Sequence, residues 1–151
     1  MQIRKLCAAD FDQVMAMMRV FYASDALLVH PDDAVLARTL RDSMAGGPYI
    51  TGYGFKINGC LAGYGMVSRS YSTETGGICL WIEDIYICPA YRGKGIGTAF
   101  LQFVEKLGGA VRLRLEAEPA NEKAMSVYRN AGFQELGYTQ LVKELQEIGS
   151  L

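Results

Sequence analysis

Apolar residues recur along this chain with two periods, and these periods predict an alternation of helices and strands. Phe11, Val14, Met15 and Met18 follow the spacing of one helix face, with Asp10 expected as the N-cap. Strands are predicted at 2–6, 49–57, 60–70, 78–87, 111–117, 133–136 and 138–145, and helices at about 11–21, 31–45, 98–107 and 121–130. The pattern is that of an α/β protein.

The predicted order, β-α-α-β-β-β-α-β-α-β-β, also indicates the topology. Short turns make the early strand pairs antiparallel, whereas the unit spanning 78–117 needs a right-handed crossover between parallel strands. The expected fold class is therefore α/β with a mixed, mostly antiparallel sheet and a central parallel β-α-β unit flanked by helices. Because no repeat or long linker divides residues 1–151, we expect a single domain.

The strand predicted at 111–117 alternates between apolar and charged residues. Arg112, Arg114 and Glu116 point to one side, although a parallel strand is usually apolar on both faces. Two explanations fit this alternation: the polar side opens on a cleft, or it is an exposed sheet face.

Composition narrows the range of functions. The net charge of −1 gives no reason to expect nucleic acid or a membrane surface as a partner. One histidine and four cysteines, none at C-x-x-C spacing, make no zinc-ligand set, so no metal is expected. The thiols suggest the cytoplasm. Residues 1–5 do not open a secretory signal, and no apolar run is long enough for a membrane helix.

A glycine-rich turn follows the apolar strand at 78–87 and opens a helix. Gly93, Gly95 and Gly97 let the backbone approach a ligand closely, and the free amides of the helix start favour an anion such as pyrophosphate. Neither the P-loop pattern nor the dinucleotide fingerprint G-x-G-x-x-G fits this spacing. A tight turn with only a structural role is the alternative.

Two segments together resemble the GNAT superfamily of N-acetyltransferases. Tyr91-Arg92-Gly93-Lys94-Gly95-Ile96-Gly97 is similar to the family's acetyl-CoA pyrophosphate loop, R/Q-x-x-G-x-G/A. The stretch from Asn121 to Phe133 is similar to the family's N-x-x-A-x-x-x-Y-x-x-x-G-F segment. The spacing of the two motifs and the predicted element order also match the family. One strand, Ile82-Glu83-Asp84-Ile85-Tyr86-Ile87, resembles the diamine (spermidine/spermine) acetyltransferase branch.

The resemblance implies acetyl-CoA as cosubstrate and assigns residues to it. The backbone of Ile85, Tyr86 and Ile87 is expected to bind the pantetheine arm as an added strand, at an edge created where the two parallel strands splay apart. The pyrophosphate is expected at the amides of the loop, and Asn121 beside the pantetheine, although Asn121 could equally serve as a helix N-cap. The implied cofactor-binding residues are Ile85, Tyr86, Ile87, Arg92, Gly93, Lys94, Gly95, Ile96, Gly97, Thr98, Asn121, Lys123 and Ala124.

Three residues are candidates for catalysis. Tyr128 matches the family tyrosine near the thioester sulfur, where a phenol can protonate the departing thiolate; packing in the core is the alternative. An amine is largely protonated at neutral pH, so a base is needed as well. Glu83, expected on the same face as Ile85 if the strand is regular, ranks before Glu116, and Asp84 is expected to face away from Glu83.

The expected activity is acetyl transfer from acetyl-CoA to a primary amine of a small molecule, by direct attack in a ternary complex. A protein N-terminal or lysine acetyltransferase and a non-catalytic acyl-CoA-binding module are the alternatives. The resemblance also allows a homodimer. Tyr22, Asp25 and His30 lie where the family places its acceptor site, although they could be ordinary loop residues, and Trp81 is expected in the core or sheet.

Overall fold

The computed structural model of the chain describes residues 1–25 and 27–145. The five strands are β1 (Gln2–Lys5), β2 (Ile50–Ile57), β3 (Cys60–Ser72), β4 (Gly77–Ile87) and β5 (Ala110–Leu115). The four α-helices are α1 (Phe11–Tyr22), α2 (Asp33–Met44), α3 (Ile96–Glu105) and α4 (Glu122–Asn130), and two short 3-10 turns lie at Ala8–Asp10 and Pro89–Tyr91.

The strands form one sheet in the order β1-β2-β3-β4-β5. The first four are antiparallel neighbours, and β4 pairs with β5 in parallel. The β2–β3 hairpin turns at Asn58 and Gly59, whose φ values of 49° and 81° are those of a tight hairpin turn. The expected fold class is thereby confirmed: the sheet is mostly antiparallel and the parallel unit carries α3 as its crossover helix.

Each face of the sheet supports its own core. Helices α1 and α2 cover one face, here called the α1 face, where Val14, Met18 and Leu40 are buried against Tyr64. Helix α3 covers the opposite α3 face, and its buried side chains pack on Phe55. Fully burying one such side chain contributes roughly 1.5–3 kcal/mol, so the two cores hold both helical layers firmly against the strands.

The two final strands predicted at 133–136 and 138–145 are absent, so that expectation is wrong. Residues 133–145 pair with no strand, and Leu141 and Val142 are 94% and 86% exposed. The apolar positions Tyr138, Leu141, Val142 and Leu145 recur at intervals of three and four, so no single face of a strand would collect them. The outer edge of β5 consequently has no partner strand among the described residues.

Asp10 stands at the N-cap position of α1, but its side chain does not cap the helix. Instead it accepts two hydrogen bonds from the Arg4 guanidinium, at 2.7 and 2.8 Å. The Arg4 guanidinium lowers the pKa of this carboxyl well below its usual range, because the hydrogen bonds favour the ionised form. Within 1–25 and 27–145, no helix is both long and apolar enough to cross a bilayer.

Candidate active site

The parallel strands β4 and β5 separate halfway along β4. Their pairing ends at Ile82 opposite Leu115, and we call this point the fork. Beyond the fork, Ile85 and Ile87 remain paired with β3 on one side only. The backbone of β4 therefore presents an edge without a partner strand inside the molecule, at the place that the family resemblance implied. Such an edge can accept an extended ligand as it would accept another strand.

The glycine turn lies beside this edge. Gly93 and Gly95 adopt φ values of 73° and 77°, which favour glycine. Gly95 is the N-cap of α3 and has no side chain to cap the helix, so the first amides of α3 lack an intrahelical partner. A Cβ built at Gly93 or Gly95 would meet no atom within 4 Å, so the turn faces open space. Free amides at a helix start, facing open space, suit a phosphate group.

Gly97 differs from its neighbours because its backbone does not require glycine. It lies inside α3, and a Cβ there would meet only the Ile87 side chain at an ordinary 3.7 Å. Glycine inside a helix costs roughly 0.5–1 kcal/mol relative to alanine. Neither packing nor backbone conformation in the described structure calls for this glycine. The missing side chain leaves space at the helix start, which is what a bound pyrophosphate would occupy.

These features line one cleft of about 510 Å³. It is bounded by the open edge of β4, the glycine turn, the start of α4 and the end of α1. We call it the cofactor cleft. All the cofactor-binding residues expected from the sequence line it except Lys94: Ile85, Tyr86, Ile87, Arg92, Gly93, Gly95, Ile96, Gly97, Thr98, Asn121, Lys123 and Ala124.

Three of the expected residues also have structural partners of their own. The Lys94 ammonium lies 5.4 Å from the centre of the Tyr91 ring, away from the cleft. Arg92 donates from Nε to the carbonyl oxygen of Ile87 at 2.9 Å, which ties the turn to the end of β4. Asn121 caps α4 by accepting from the amide of Ala124 at 3.2 Å. The structural alternative for Asn121 is therefore present together with its position in the cleft.

A second cavity, of about 630 Å³, lies along the open side of β5. Trp81, Arg112, Arg114 and Glu116 line it, together with part of the segment 133–140. Glu105 of α3 and the apolar Leu113 and Leu115 line it as well, so the cavity follows the edge of β5 and takes in side chains from both faces of the strand. We call this space the acceptor cavity, after the role proposed for it below.

Tyr128 lines both the cofactor cleft and the acceptor cavity. Its ring packs edge-on against Phe133, with the centroids 6.3 Å apart. Burial raises the pKa of the Tyr128 hydroxyl above its ordinary value of 10, because the charged phenolate is poorly solvated there. The phenol therefore keeps its proton near neutral pH, which suits a proton donor located between the two spaces.

A β-bulge changes the geometry expected for the two acidic residues of β4. Met66 pairs with Asp84, but the next residue of β3, Val67, pairs with Ile82, so Glu83 is the extra residue. Strand β4 is not regular at this point, and the alternation of its side chains is reset. Glu83 is exposed and its carboxylate accepts a short hydrogen bond from Ser68 Oγ.

The bulge places Glu83 and Asp84 on the same face, so the expectation that Asp84 faces away is wrong. Ser68 pairs with Trp81, and it follows Met66 by two residues on the α1 face. Its bond to Glu83 therefore puts Glu83 on the α1 face, where Asp84 also lies. Glu83 then shares no face with Ile85, which packs on the α3 face.

Glu83 and Glu116 occupy equivalent positions at the fork. Each is the next residue after the last parallel pair, Ile82 and Leu115. Ile82 and Leu115 both face α3, and the bond to Ser68 places Glu83 on the opposite, α1 face. Glu116 lines the acceptor cavity, and Glu83 stands beside Ser68. The fork thus carries a carboxylate on each arm.

Asp84 forms a buried polar cluster that the sequence did not reveal. Its carboxylate is 3% exposed and accepts from Tyr22 Oη at 2.7 Å and from Tyr64 Oη at 3.1 Å. Burial raises the pKa of Asp84 to about 6, against the effect of both hydrogen bonds, and the nearby Glu83 raises it further. The signal was an acidic residue within an otherwise apolar strand, but its partners lie far away in the chain.

The residues suggested near the α1–α2 connection have different surroundings in the structure. The Tyr22 hydroxyl is engaged with Asp84, and its backbone oxygen is 2.6 Å from His30 Nδ1. Asp25 is exposed. Tyr22 therefore anchors the end of α1 to β4, and its hydroxyl is not directed at the surface.

Comparison with known proteins gives a consistent result. A sequence model of the acetyltransferase (GNAT) family matches residues 14–133. The thialysine N-epsilon-acetyltransferase of Bos taurus is 40% identical over 80 residues, which cover 51% of this chain and 46% of that protein. The streptothricin acetyltransferase of Streptomyces lavendulae is 38% identical over 79 residues, covering 50% and 40%. The chain spans about half the length of the curated relatives it matches.

Solved structures extend the likeness over almost the whole chain. A possible acetyltransferase from Clostridium difficile superposes with a TM-score of 0.81 at 21% identity, covering 95% of this chain and 97% of that one. At this identity the likeness concerns the fold alone.

Proposed function

The chain belongs to the acetyltransferase (GNAT) family, and we propose that it transfers the acetyl group of acetyl-CoA to a primary amine of a small molecule. The amine attacks directly, in a ternary complex with the cosubstrate. One observation carries this proposal: the cofactor cleft and the acceptor cavity meet at Tyr128. Two substrates bound in adjoining spaces are already oriented for reaction, which removes much of the entropic barrier.

On the cofactor side, the residues present fit acetyl-CoA. The unpaired edge at Ile85–Ile87 would hold the pantetheine arm through backbone hydrogen bonds, and the amides of residues 93–98 would hold the pyrophosphate. Acetyl-CoA supplies the acetyl group as a thioester. The cleft holds the thioester in position for attack, and its backbone donors do so without any change of protonation state.

On the acceptor side, the glutamates at the fork provide the base. A primary amine has a pKa near 10 and is protonated at neutral pH, so it must lose a proton before it can attack. Glu116 lines the acceptor cavity, and Glu83 follows Ile82 at the fork although it lines neither of the two spaces. Either carboxylate can take the proton, directly or through water. Tyr128 then donates its proton to the departing sulfur.

The relatives named for thialysine and streptothricin support a small-molecule amine as acceptor. We also propose that the protein acts in the cytoplasm. Free thiols fit that reducing compartment, and the described structure has four: Cys7, Cys60, Cys79 and Cys88.

A thiol-release screen tests the function. Purified protein is mixed with acetyl-CoA and with polyamines, aminoglycosides, amino acids or peptides with free N-termini, and free CoA is measured. We expect release with a small amine, and a large loss of that release in Tyr128→Phe. Release with peptides alone would point to a protein acetyltransferase. Calorimetric binding of acetyl-CoA without release for any amine would identify a non-catalytic binding module.

A further inference from the structure

Two arginines of β5 line the acceptor cavity, and their surroundings differ. Arg112 is paired with Glu74, with its Nη1 3.3 Å from Oε1. Arg114 has no carboxylate within 4 Å in the described part of the chain. Its guanidinium instead lies 4.4 Å from the centre of the Trp81 ring. Glu105, Glu116 and Glu135 also line the cavity, but none of them lies within 4 Å of the Arg114 guanidinium, which therefore keeps its hydrogen-bond donors for a ligand.

Stacking on Trp81 holds the Arg114 guanidinium in place before a ligand binds. An arginine over an aromatic face is held by cation–π attraction and loses part of its side-chain freedom before anything binds. The planar edge of the guanidinium stays available for hydrogen bonds. Such an edge matches a carboxylate, which it can bind through two parallel N–H···O bonds.

The position of Arg114 sets the distance between this charge and the reacting amine. Glu116 follows Arg114 by two residues and lies at the fork. Two residues along an extended strand span about 7 Å. An amine at Glu116 and a carboxylate at Arg114 would therefore be separated by several bonds. The α-amine of an amino acid lies much closer to its own carboxylate, whereas an amine at the end of a side chain reaches across.

We propose that the acceptor is an ω-amino acid: a primary amine joined by an aliphatic chain to a carboxylate that Arg114 binds on the face of Trp81. This inference rests on the proposed function for the amine end and adds the recognition of the carboxylate end. Glu116 receives the ammonium group at the fork, and Arg114 binds the opposite charge at the far end. A simple diamine has no carboxylate for Arg114 and therefore lacks this second contact.

The test compares ε-aminocaproate with its neutral carboxamide, which has the same length and the same amine. We expect kcat/KM for thiol release to be about tenfold or more higher for the carboxylate, since a charge-assisted hydrogen bond to a protein is worth at least that factor. Arg114→Gln should bring the two values together. Arg41→Gln, which removes another ring-stacked arginine 5.4 Å from the Phe11 centroid, should preserve the preference. Equal values in the unsubstituted protein, or equal losses for both amines in Arg114→Gln, would overturn the proposal.

A second measurement is independent of turnover. Trp81 is the single tryptophan of the chain, so intrinsic fluorescence reports on this one site. Titration with ε-aminocaproate should give a saturable change in emission that is absent with the carboxamide and in Arg114→Gln. If no amine supports thiol release but this change is seen, the proposed function fails and the carboxylate site stands. If emission does not respond to the carboxylate, the site is refuted whatever the activity.

Discussion

The cofactor cleft and the acceptor cavity share Tyr128 but are built from different materials. The polar groups of the cleft that are expected to hold the cofactor are backbone groups: an open strand edge, a glycine turn and the first amides of α3. The polar groups of the cavity include side chains with full charges, among them Arg112, Arg114 and Glu116. Backbone donors keep their charge state at all ordinary pH values, whereas carboxylates do not. We therefore expect cofactor binding to be insensitive to pH and acceptor chemistry to depend on it.

The largest effect is expected where the two regions meet. Tyr128→Phe keeps the ring against Phe133 and removes only the hydroxyl. Turnover should fall by about 10²–10⁴-fold, the usual contribution of a positioned proton donor, while acetyl-CoA affinity and melting temperature change little. Single-turnover kinetics at saturating amine check this. Normal turnover with a lowered melting temperature would make Tyr128 a packing residue.

The next prediction concerns the acceptor side alone. Glu83→Gln should lower kcat/KM at pH 7 on the order of 10²-fold, and Glu116→Gln should lower it less. The deficit should shrink as the pH rises toward 10, because free amine then forms without help from the protein. Rate–pH profiles of both variants provide the measurement.

Ser68→Ala is the control for the orientation of the Glu83 carboxylate. It leaves the Glu83 carboxylate in place and removes only its hydrogen-bond donor, so the loss should be smaller than in Glu83→Gln. A larger loss in Glu116→Gln than in Glu83→Gln would exchange the two roles.

A third prediction concerns the pH dependence of the free energy of unfolding, to which the buried Asp84 contributes. The pKa of Asp84 is raised to about 6 from 3.8, so between these values the folded state binds the proton more readily than the unfolded state. Its contribution to stability is then most favourable below about pH 4 and declines by about 3 kcal/mol as the pH rises to 6. Asp84→Asn should remove this dependence, as measured by urea unfolding at pH 4 and pH 7.

Asp10 is the matched control because its sign is opposite. Arg4 lowers the pKa of Asp10, so its contribution is full above the ordinary carboxyl pKa and is lost as the pH falls below it. Asp10→Asn should therefore cost more stability at neutral pH than in acid. Parallel profiles for the two variants would contradict the buried cluster at Asp84.

The smallest effect is expected on the cofactor side. Gly97→Ala should raise the free energy of unfolding by roughly 0.5–1 kcal/mol, because alanine favours the helix. The same change should weaken acetyl-CoA about tenfold by filling space at the pyrophosphate position, a loss of about 1.4 kcal/mol in calorimetry. Gly95→Val would be less informative, since its φ of 77° adds strain.

Gly47→Ala serves as control for that measurement. Gly47 has open space around it and lies outside the cleft, so affinity should not change. Unchanged affinity in Gly97→Ala as well would remove the space at Gly97 from cofactor binding.

The cofactor cleft could be predicted from the sequence better than the surroundings of the acidic residues of β4, for a physical reason. The turn at 93–97 and the cap at Asn121 are local in the chain, so their spacing can be recognised without the fold. The Asp84 cluster joins residues 62 and 20 positions apart. The bulge at Glu83 depends on how β3 pairs with β4, and one extra residue was enough to reverse the expected direction of a side chain.

Two further details show the same limit. Trp81 was expected in the core or sheet, and it lies in the sheet; its stacking with Arg114 appears only once β5 lies beside β4. The segment 138–145 was assigned as a strand from its apolar content, although its spacing places those residues on no common strand face.

The fork described above also has a consequence for handling the protein. An unpaired strand edge is a template for another extended chain, and proteins that leave one uncovered tend to aggregate. In the described structure no strand lies along the edge at Ile85–Ile87, although Arg92 Nε binds the Ile87 oxygen. During expression and storage, CoA would thus act as a solubility agent, protecting the same hydrogen-bonding groups that it uses in binding.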